Sequence, residues 1–274
     1  MKNILGKITA LILAGVIGLS MTACKKEDES SKSIKVGFCP GPYSDMFKEA
    51  IQPSLEKKGY KIEIVEFSDY VQPNKSLAAK EIDVNIFQHS TYLKKFSADN
   101  GLDLSYIKEI PTAGMGIFSS KYKSLDELPN GATVAIPNDE TNLSRAIRVL
   151  QQAGLVKIKD GVDPAKATQN DLSENKKNLK FTEIEAPQLP RSLDSVDFAV
   201  INGNYAISAG LLLKDAIYSE ELGEGYFNVI AVRTEDKDSQ LAKDLIEITE
   251  SDAFKSVIED ESKQYSSFKK PSGY

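Results

Sequence analysis

The stretch from Ala132 to Gly154, ATVAIPNDETNLSRAIRVLQQAG, constrains the fold more than any other part of the chain. The apolar run Ala132–Ile136 is typical of a buried strand and ends just before a proline. An amphipathic helix follows, with Asn138 or Asp139 as its expected N-cap and a glycine as its expected stop. The sequence therefore predicts a strand–loop–helix unit at this point.

Arg145 lies two turns into this predicted helix. Its guanidinium group suits a carboxylate held near the helix N-terminus, where free N–H groups and the positive end of the dipole favour the same charge. The alternative is a surface arginine that follows an ordinary strand-to-helix turn. This segment alone does not decide between the two interpretations.

Residues 1–23 have the features of a secretory signal. Two lysines precede Ile8–Met21, an apolar run of about fourteen residues, whereas a membrane-spanning helix needs about twenty. The run ends in Met-Thr-Ala-Cys, which resembles the lipobox of bacterial lipoprotein signals and implies that Cys24 is lipidated. A simple signal peptide with an incidental cysteine is the alternative.

Residues 24–33 are then expected to form the lipidated cysteine and a flexible tether. The tether sequence KKEDESSKS is charged and lacks an apolar period. A lipid followed by a polar tether predicts a protein that is anchored to the cell membrane on its extracytoplasmic face and does not span it.

Charge and cysteine content exclude several classes of protein. The formal net charge is −6 and becomes about −8 without the signal, and no basic cluster is present, which argues against nucleic-acid binding. With Cys24 lipidated, Cys39 has no disulfide partner and is interpreted as a packing or loop residue. The chain has one histidine and no hydrolase, metalloprotease or nucleotide-binding motif, so we expect no enzyme, no catalytic residue, no metal and no cofactor.

From Ile34 onwards, strand-like runs alternate with helical patterns. Strands are expected at 34–39, 61–67, 83–87, 104–110, 115–120, 132–136, 179–185, 197–202 and 226–233. Helices or helical turns are expected at 43–58, 76–80, 91–98, 124–128, 188–193 and 205–212, and helical periodicity continues through 239–265. Such alternation predicts an α/β protein with parallel sheets.

The 251 residues after the signal are enough for two cores. We place a first lobe at 34–112 plus 235–274 and a second lobe at 115–232, with extended segments near 111–114 and 233–235 as hinges. Ligands of open α/β sheets lie beyond the carboxyl ends of the strands, so two facing lobes would share a cleft.

Side chains suited to a small zwitterion follow the predicted strands of both lobes. They are Tyr70, Phe87, His89 and Tyr92 in the first lobe and Arg145, Asn202 and Asn228 in the second. Amides and the guanidinium would take charged groups, and the rings would enclose an apolar side chain. Each residue alone has a plainer interpretation as a core aromatic, a structural histidine or a turn asparagine, and their joint occurrence favours binding.

Five stretches resemble the NlpA/MetQ family, whose members are substrate-binding lipoproteins of methionine ABC importers. They are DYVQPN (69–74), NIFQHSTYL (85–93), KSLDELPNGATVAIPNDETNLSRA (123–146), IEAPQLPRSLD (184–194) and AVINGNYA (199–206). The resemblance implies a two-lobed periplasmic-binding-protein-like (type II) fold with the ligand cleft between the lobes. It also implies a methionine-like ligand, an ABC permease with its ATPase as partner, and a monomer.

The resemblance also assigns roles to individual residues. Arg145 and Asn142 match the family's carboxylate-holding pair, and Asn202 and Asn228 match two further binding asparagines. The aromatic and histidine positions of the side-chain pocket fall on Tyr70, Phe87, His89 and Tyr92.

Two segments depart from the family pattern. The loop Cys39–Tyr43 reads Cys-Pro-Gly-Pro-Tyr, where many relatives have Pro-His, and Pro111–Phe118 lacks an aromatic residue that some members have. The ligand therefore stays open among L- or D-methionine, a methionyl dipeptide and another small amino acid. A surface lipoprotein with an adhesion role is the alternative of a different class, and it would need no enclosed pocket.

Overall fold

The computed structural model describes residues 32–274, so the predicted signal, Cys24 and most of the tether lie outside the described residues. The strands are β1 Lys32–Phe38, β2 Tyr60–Glu66, β3 Val84–Asn85, β4 Leu104–Glu109, β5 Gly116–Phe118, β6 Thr133–Pro137, β7 Val156–Ile158, β8 Leu172–Asn175, β9 Lys180–Ile184, β10 Phe198–Ile201, β11 Tyr218–Ser219 and β12 Val229–Arg233. The α-helices are α1 Tyr43–Ala50, α2 Gln52–Lys57, α3 Gln72–Ala78, α4 Ser90–Asn100, α5 Glu140–Gln152, α6 Leu189–Ser192, α7 Gly203–Ser208, α8 Gln240–Glu250 and α9 Asp252–Glu259. Within this described part, no helix has both the length and the apolar character needed to cross a membrane.

The first lobe is built on a five-stranded sheet in the order β2-β1-β3-β12-β4. Strand β1 is parallel to β2 and β3, whereas β12 is antiparallel to β3 and β4. Buried side chains such as Phe38, Phe47 and Phe254 form its core between this sheet and the helices α1, α8 and α9. The first lobe therefore combines four early strands and β12 with the C-terminal helices α8 and α9.

The second lobe is built on another five-stranded sheet, in the order β11-β5-β10-β6-β9. Strand β6 is parallel to β9 and β10, and β5 is antiparallel to β10 and β11. Helix α5 packs on β6 and β10, with Ile147 in the same core as Ile136 and Phe198. The strand–loop–helix unit from Ala132 to Gly154 forms as expected and lies at the centre of this lobe.

Two expectations about the strands are wrong. Both sheets are mixed, although the alternation of strands and helices predicted parallel ones. Strand β12 belongs to the first sheet and not to the second lobe, so the chain passes between the sheets at 110–115 and 220–228, and 233–235 is not a crossing. The apolar run Val229–Val232 is fully buried and would suit either sheet, because strand partners depend on contacts distant in sequence.

Some observed helix boundaries differ from those expected from the sequence, mostly where a single residue interrupts the helix. The helix predicted at 43–58 is two helices, since Pro53 near the start of α2 has no N–H to continue the hydrogen bonds of α1. The helical tail breaks at Ser251, whose hydroxyl accepts the N–H of Phe254 and begins α9. Residues 124–128 form bends and turns without a helix, and α7 begins two residues earlier than expected.

Candidate functional site

A small cavity lies between the lobes, beyond the carboxyl ends of β3, β6 and β10. All eight candidate ligand-binding residues from the sequence line it: Tyr70, Phe87, His89, Tyr92, Asn142, Arg145, Asn202 and Asn228. The structure adds Tyr43, Gln88, Ala113, Gly203 and Asn204 to the lining.

Three rings form one wall of the cavity, here called the aromatic group: Tyr70, Phe87 and Tyr92. The ring centroid of Tyr70 is 5.6 Å from that of Phe87 and 5.9 Å from that of Tyr92. Burial raises the pKa of both tyrosine hydroxyls, so these side chains stay neutral. The aromatic group thus offers an uncharged surface suited to an aliphatic or thioether chain.

The N-terminus of α5 fixes the orientation of the Asn142 amide. Asp139 caps the helix, and its Oδ1 accepts the backbone N–H of Asn142 at 3.0 Å. The Nδ2 of Asn142 donates to both oxygens of Asp139, at 3.0 and 3.1 Å. The Oδ1 of Asn142 is therefore left as an acceptor, and it lies 2.9 Å from the Nδ2 of Asn202.

This chain of hydrogen bonds leaves one acceptor unused. Asn202 donates through its Nδ2, so its Oδ1 is the free atom of the amide. That oxygen is buried and has no hydrogen-bond partner among residues 32–274. Because Asn202 lines the cavity, its Oδ1 is suited to accept an N–H from a ligand ammonium group.

His89 is a neutral hydrogen-bonding residue of the wall. Its Nδ1 accepts the backbone N–H of Tyr92 at 3.1 Å and caps α4, so the proton is on Nε2, which donates to the Oδ1 of Asn142 at 3.3 Å. Burial, and then the positive charge of Arg145, lower the pKa of His89 to about 3. Asn228 lies just before β12 and forms an isolated antiparallel bridge with His89.

We expect the His89 pKa to appear in the pH dependence of stability. The unfolded state, with an ordinary pKa of about 6.5, takes up a proton below that pH, whereas the folded state stays neutral down to about 3. Stability should therefore fall as the pH falls, by about 2 kcal/mol between pH 7 and pH 5. Urea unfolding of His89→Asn, which keeps a side-chain cap acceptor, should lack this part of the pH dependence; equal slopes for both proteins would contradict the assignment.

Arg145 is buried and paired with Glu220, which differs from the sequence expectation of a guanidinium fork free for the ligand. Its Nε lies 2.8 Å from Oε1 of Glu220, and its Nη2 lies 2.7 Å from Oε2. Burial lowers the pKa of the guanidinium, but Glu220 more than offsets this, and the pKa is raised overall. A ligand carboxylate would therefore meet the remaining N–H groups of an oriented, charge-compensated arginine.

Direct contacts join the lobes around the cavity. The hydroxyl of Tyr70 donates to the Oδ1 of Asn204 at 2.6 Å, and the Nδ2 of Asn204 donates to the carbonyl of Pro40 at 2.9 Å. Lys95 of α4 and Glu140 of α5 form an ion pair at 2.9 Å. The two lobes are thus closed around the lining residues.

Sequence reasoning missed several residues that shape the site. Two of them could have been identified from the sequence. Asn204 belongs to the same NGN motif as Asn202, and Tyr43 belongs to the loop that departs from the family pattern. Gln88 belongs to a buried amide network in which its Nε2 donates to Asn74 Oδ1 at 2.6 Å. Glu220 had no signal, because it is one of three glutamates in the loop SEELGEG.

Comparison with known proteins gives consistent matches. Residues 34–271 match the family model described as NlpA lipoprotein. The chain is 41% identical to the D-methionine-binding lipoprotein MetQ of Salmonella typhi over 90% of this chain and 92% of that protein.

Solved structures agree with these sequence matches. A nutrient binding protein from Burkholderia cenocepacia bound to methionine matches with a TM-score of 0.79 and 41% identity, covering 85% of this chain and 97% of that one. A putative methionine-binding lipoprotein from Bacillus subtilis matches with a TM-score of 0.81 and 35% identity, covering 88% and 99%. The two-lobed architecture is therefore shared with these proteins.

Proposed function

Since this chain belongs to the NlpA lipoprotein family, we propose that it is an extracytoplasmic substrate-binding lipoprotein that encloses methionine between its lobes and delivers it to an ABC importer. Its role is binding and not catalysis, as in the relatives named as binding proteins. The observation that carries the proposal is the closed cavity, which combines the aromatic group with a buried arginine and an unused amide oxygen.

The cavity supports a single amino acid with an uncharged side chain. The cavity is small and most of its lining residues are buried, which favours a single methionine over a methionyl dipeptide. Polarizable thioethers make favourable contacts with aromatic rings, worth about 0.3–1.5 kcal/mol each. The three rings of the aromatic group therefore favour methionine over an aliphatic amino acid of similar size.

The polar lining supports a zwitterion. Arg145 would donate to the α-carboxylate, and the Oδ1 of Asn202 would accept from the ammonium group. Glu220 compensates the charge of Arg145, and His89 is neutral, so these three residues together present no net charge to the ligand. A ligand with no net charge matches such a lining.

Thermal unfolding with ligands tests this function. In a protein beginning at Lys25, methionine at a hundredfold excess over its Kd should add about 2.7 kcal/mol to the free energy of unfolding. Leucine, glucose and methionyl dipeptides at the same concentration should add less. If leucine or the sugar raised the Tm more than methionine, the substrate assignment would be wrong, and no shift with any small molecule would favour the adhesion alternative.

We further propose that the protein is attached to the membrane through a lipid on Cys24 and works as a monomer next to its permease. The support is the short apolar run that ends in Met-Thr-Ala-Cys and the polar tether after it. Mass spectrometry of the mature chain should find a lipid on Cys24, and Cys24→Ser should lose it; an unmodified Cys24 would contradict the proposal.

A further inference from the structure

Glu220 connects three separate parts of the molecule. Its Oε1 accepts from Arg145 Nε at 2.8 Å, and its Oε2 accepts both from Arg145 Nη2 at 2.7 Å and from the backbone N–H of Met115 at 2.8 Å. The backbone N–H of Glu220 donates in turn to the carbonyl of Met115 at 2.9 Å. The side chain is buried, with 3% of its surface exposed.

Met115 and Glu220 mark the two places where the chain passes between the lobes. Met115 ends the first crossing, 110–115, and Glu220 begins the second, 220–228. Glu220 thus joins both crossings to the arginine on the cavity wall.

We infer that Glu220 is a positioning and specificity-determining residue that orients Arg145 and sets the charge of ligand the cavity accepts. An unpaired guanidinium would give the cavity a net positive charge and favour an anion over a zwitterion. Paired with Glu220, the guanidinium presents only its remaining N–H groups, and the Oδ1 of Asn202 favours a ligand that also carries an N–H donor such as an ammonium group. This inference rests on the proposed function and extends it to the charge selectivity of the site.

The charge role is tested with three ligands that differ only in their charged groups. They are methionine, the anion 4-(methylthio)butanoate and the cation 3-(methylthio)propylamine, measured by calorimetry on wild type, Glu220→Gln and Glu220→Asp. Glu220→Gln should weaken methionine binding at least tenfold and change the anion-to-cation affinity ratio at least tenfold in favour of the anion. Glu220→Asp keeps the negative charge but moves the carboxylate away from Arg145. It should therefore weaken methionine binding, while its anion-to-cation affinity ratio stays within threefold of that of wild type.

Glu221→Gln is the matched control, because the neighbouring Glu221 is exposed. It should bind all three ligands as wild type does. An unchanged ratio in Glu220→Gln would overturn the charge role. Failure of wild type to bind methionine would instead count against the proposed function, and it would be seen before any variant is compared.

The positioning role has a readout that needs no ligand. In the ligand-free protein, the Nε–H of Arg145 should be protected from hydrogen exchange by its bond to Glu220. The NMR signal is assigned by its loss in Arg145→Lys. Exchange should be at least tenfold faster in Glu220→Asp, and equal exchange rates in folded wild type and Glu220→Asp would overturn the inference even if Glu220→Gln failed to fold.

Discussion

Replacing Arg145 with alanine is expected to weaken methionine binding at least about a hundredfold, which corresponds to about 2.7 kcal/mol. A charge-assisted hydrogen bond contributes roughly 1.5–3 kcal/mol, and this variant loses every one that Arg145 donates. The same change leaves Glu220 buried without its cation, so that its carboxylate would repel that of the ligand. Calorimetry on wild type and variant measures the loss.

Controls separate recognition from folding. Arg145→Ala should also lose about 3–5 kcal/mol of stability, because one partner of a buried ion pair is removed. The double variant Arg145→Ala with Glu220→Gln should regain much of that stability but none of the affinity. Arg145→Lys should recover only part of the binding, since a point charge cannot replace the planar group that spans Glu220 and the ligand.

Arg148 provides a matched comparison on the same helix. Its guanidinium carbon lies 4.4 Å from the ring centroid of Tyr226, and it does not line the cavity. Arg148→Ala should therefore change affinity much less than Arg145→Ala, and the methyl ester of methionine should bind wild type weakly and lose little more in Arg145→Ala. Equal affinities for wild type and both alanine variants would rule out the carboxylate role.

The parts of the fold that depend on local sequence were predictable. The unit from Ala132 to Gly154 has a buried run, a cap and an apolar helix face within one short stretch, and it forms with Asp139 as its cap. The place of β12 was not predictable, because its buried residues would suit either sheet and its partners β3 and β4 lie more than a hundred residues earlier. The hinge near 233–235 was wrong for the same reason.

The residues of the site also divide into those that local sequence predicts and those that depend on contacts distant in sequence. Residues that follow strands, such as Phe87 and Asn202, could be found because the carboxyl ends of strands gather at one edge of each sheet. Glu220 could not, since its role depends on burial against Arg145, and nothing local distinguishes it from the exposed Glu221. The buried charge pair is thus the feature of this site that requires the three-dimensional structure.

The close approach of α7 to the first crossing depends on a residue without a side chain. A Cβ on Gly203 would lie 2.5 Å from the carbonyl oxygen of Gly114 and 2.7 Å from that of Ala113. Both are backbone atoms of the crossing and cannot turn away as a flexible side chain would. A Cβ on Gly41 would in turn lie 2.7 Å from the Cβ of Asn204, so Gly41 also packs closely against the start of α7.

Gly203→Ala is therefore expected to destabilise the protein by about 1–3 kcal/mol, the usual cost of overpacking a tight interior. The strain falls on the segment that carries Asn202 and Asn204, so methionine affinity should fall together with stability. Gly114→Ala is the matched control, since a Cβ there would meet its neighbours only at 3.5 Å or more. Urea unfolding and calorimetry on both variants measure the two effects. If Gly203→Ala were as stable as wild type and bound methionine as tightly, the backbone of the first crossing must be able to shift away from α7. Lobe closure would then not depend on this contact.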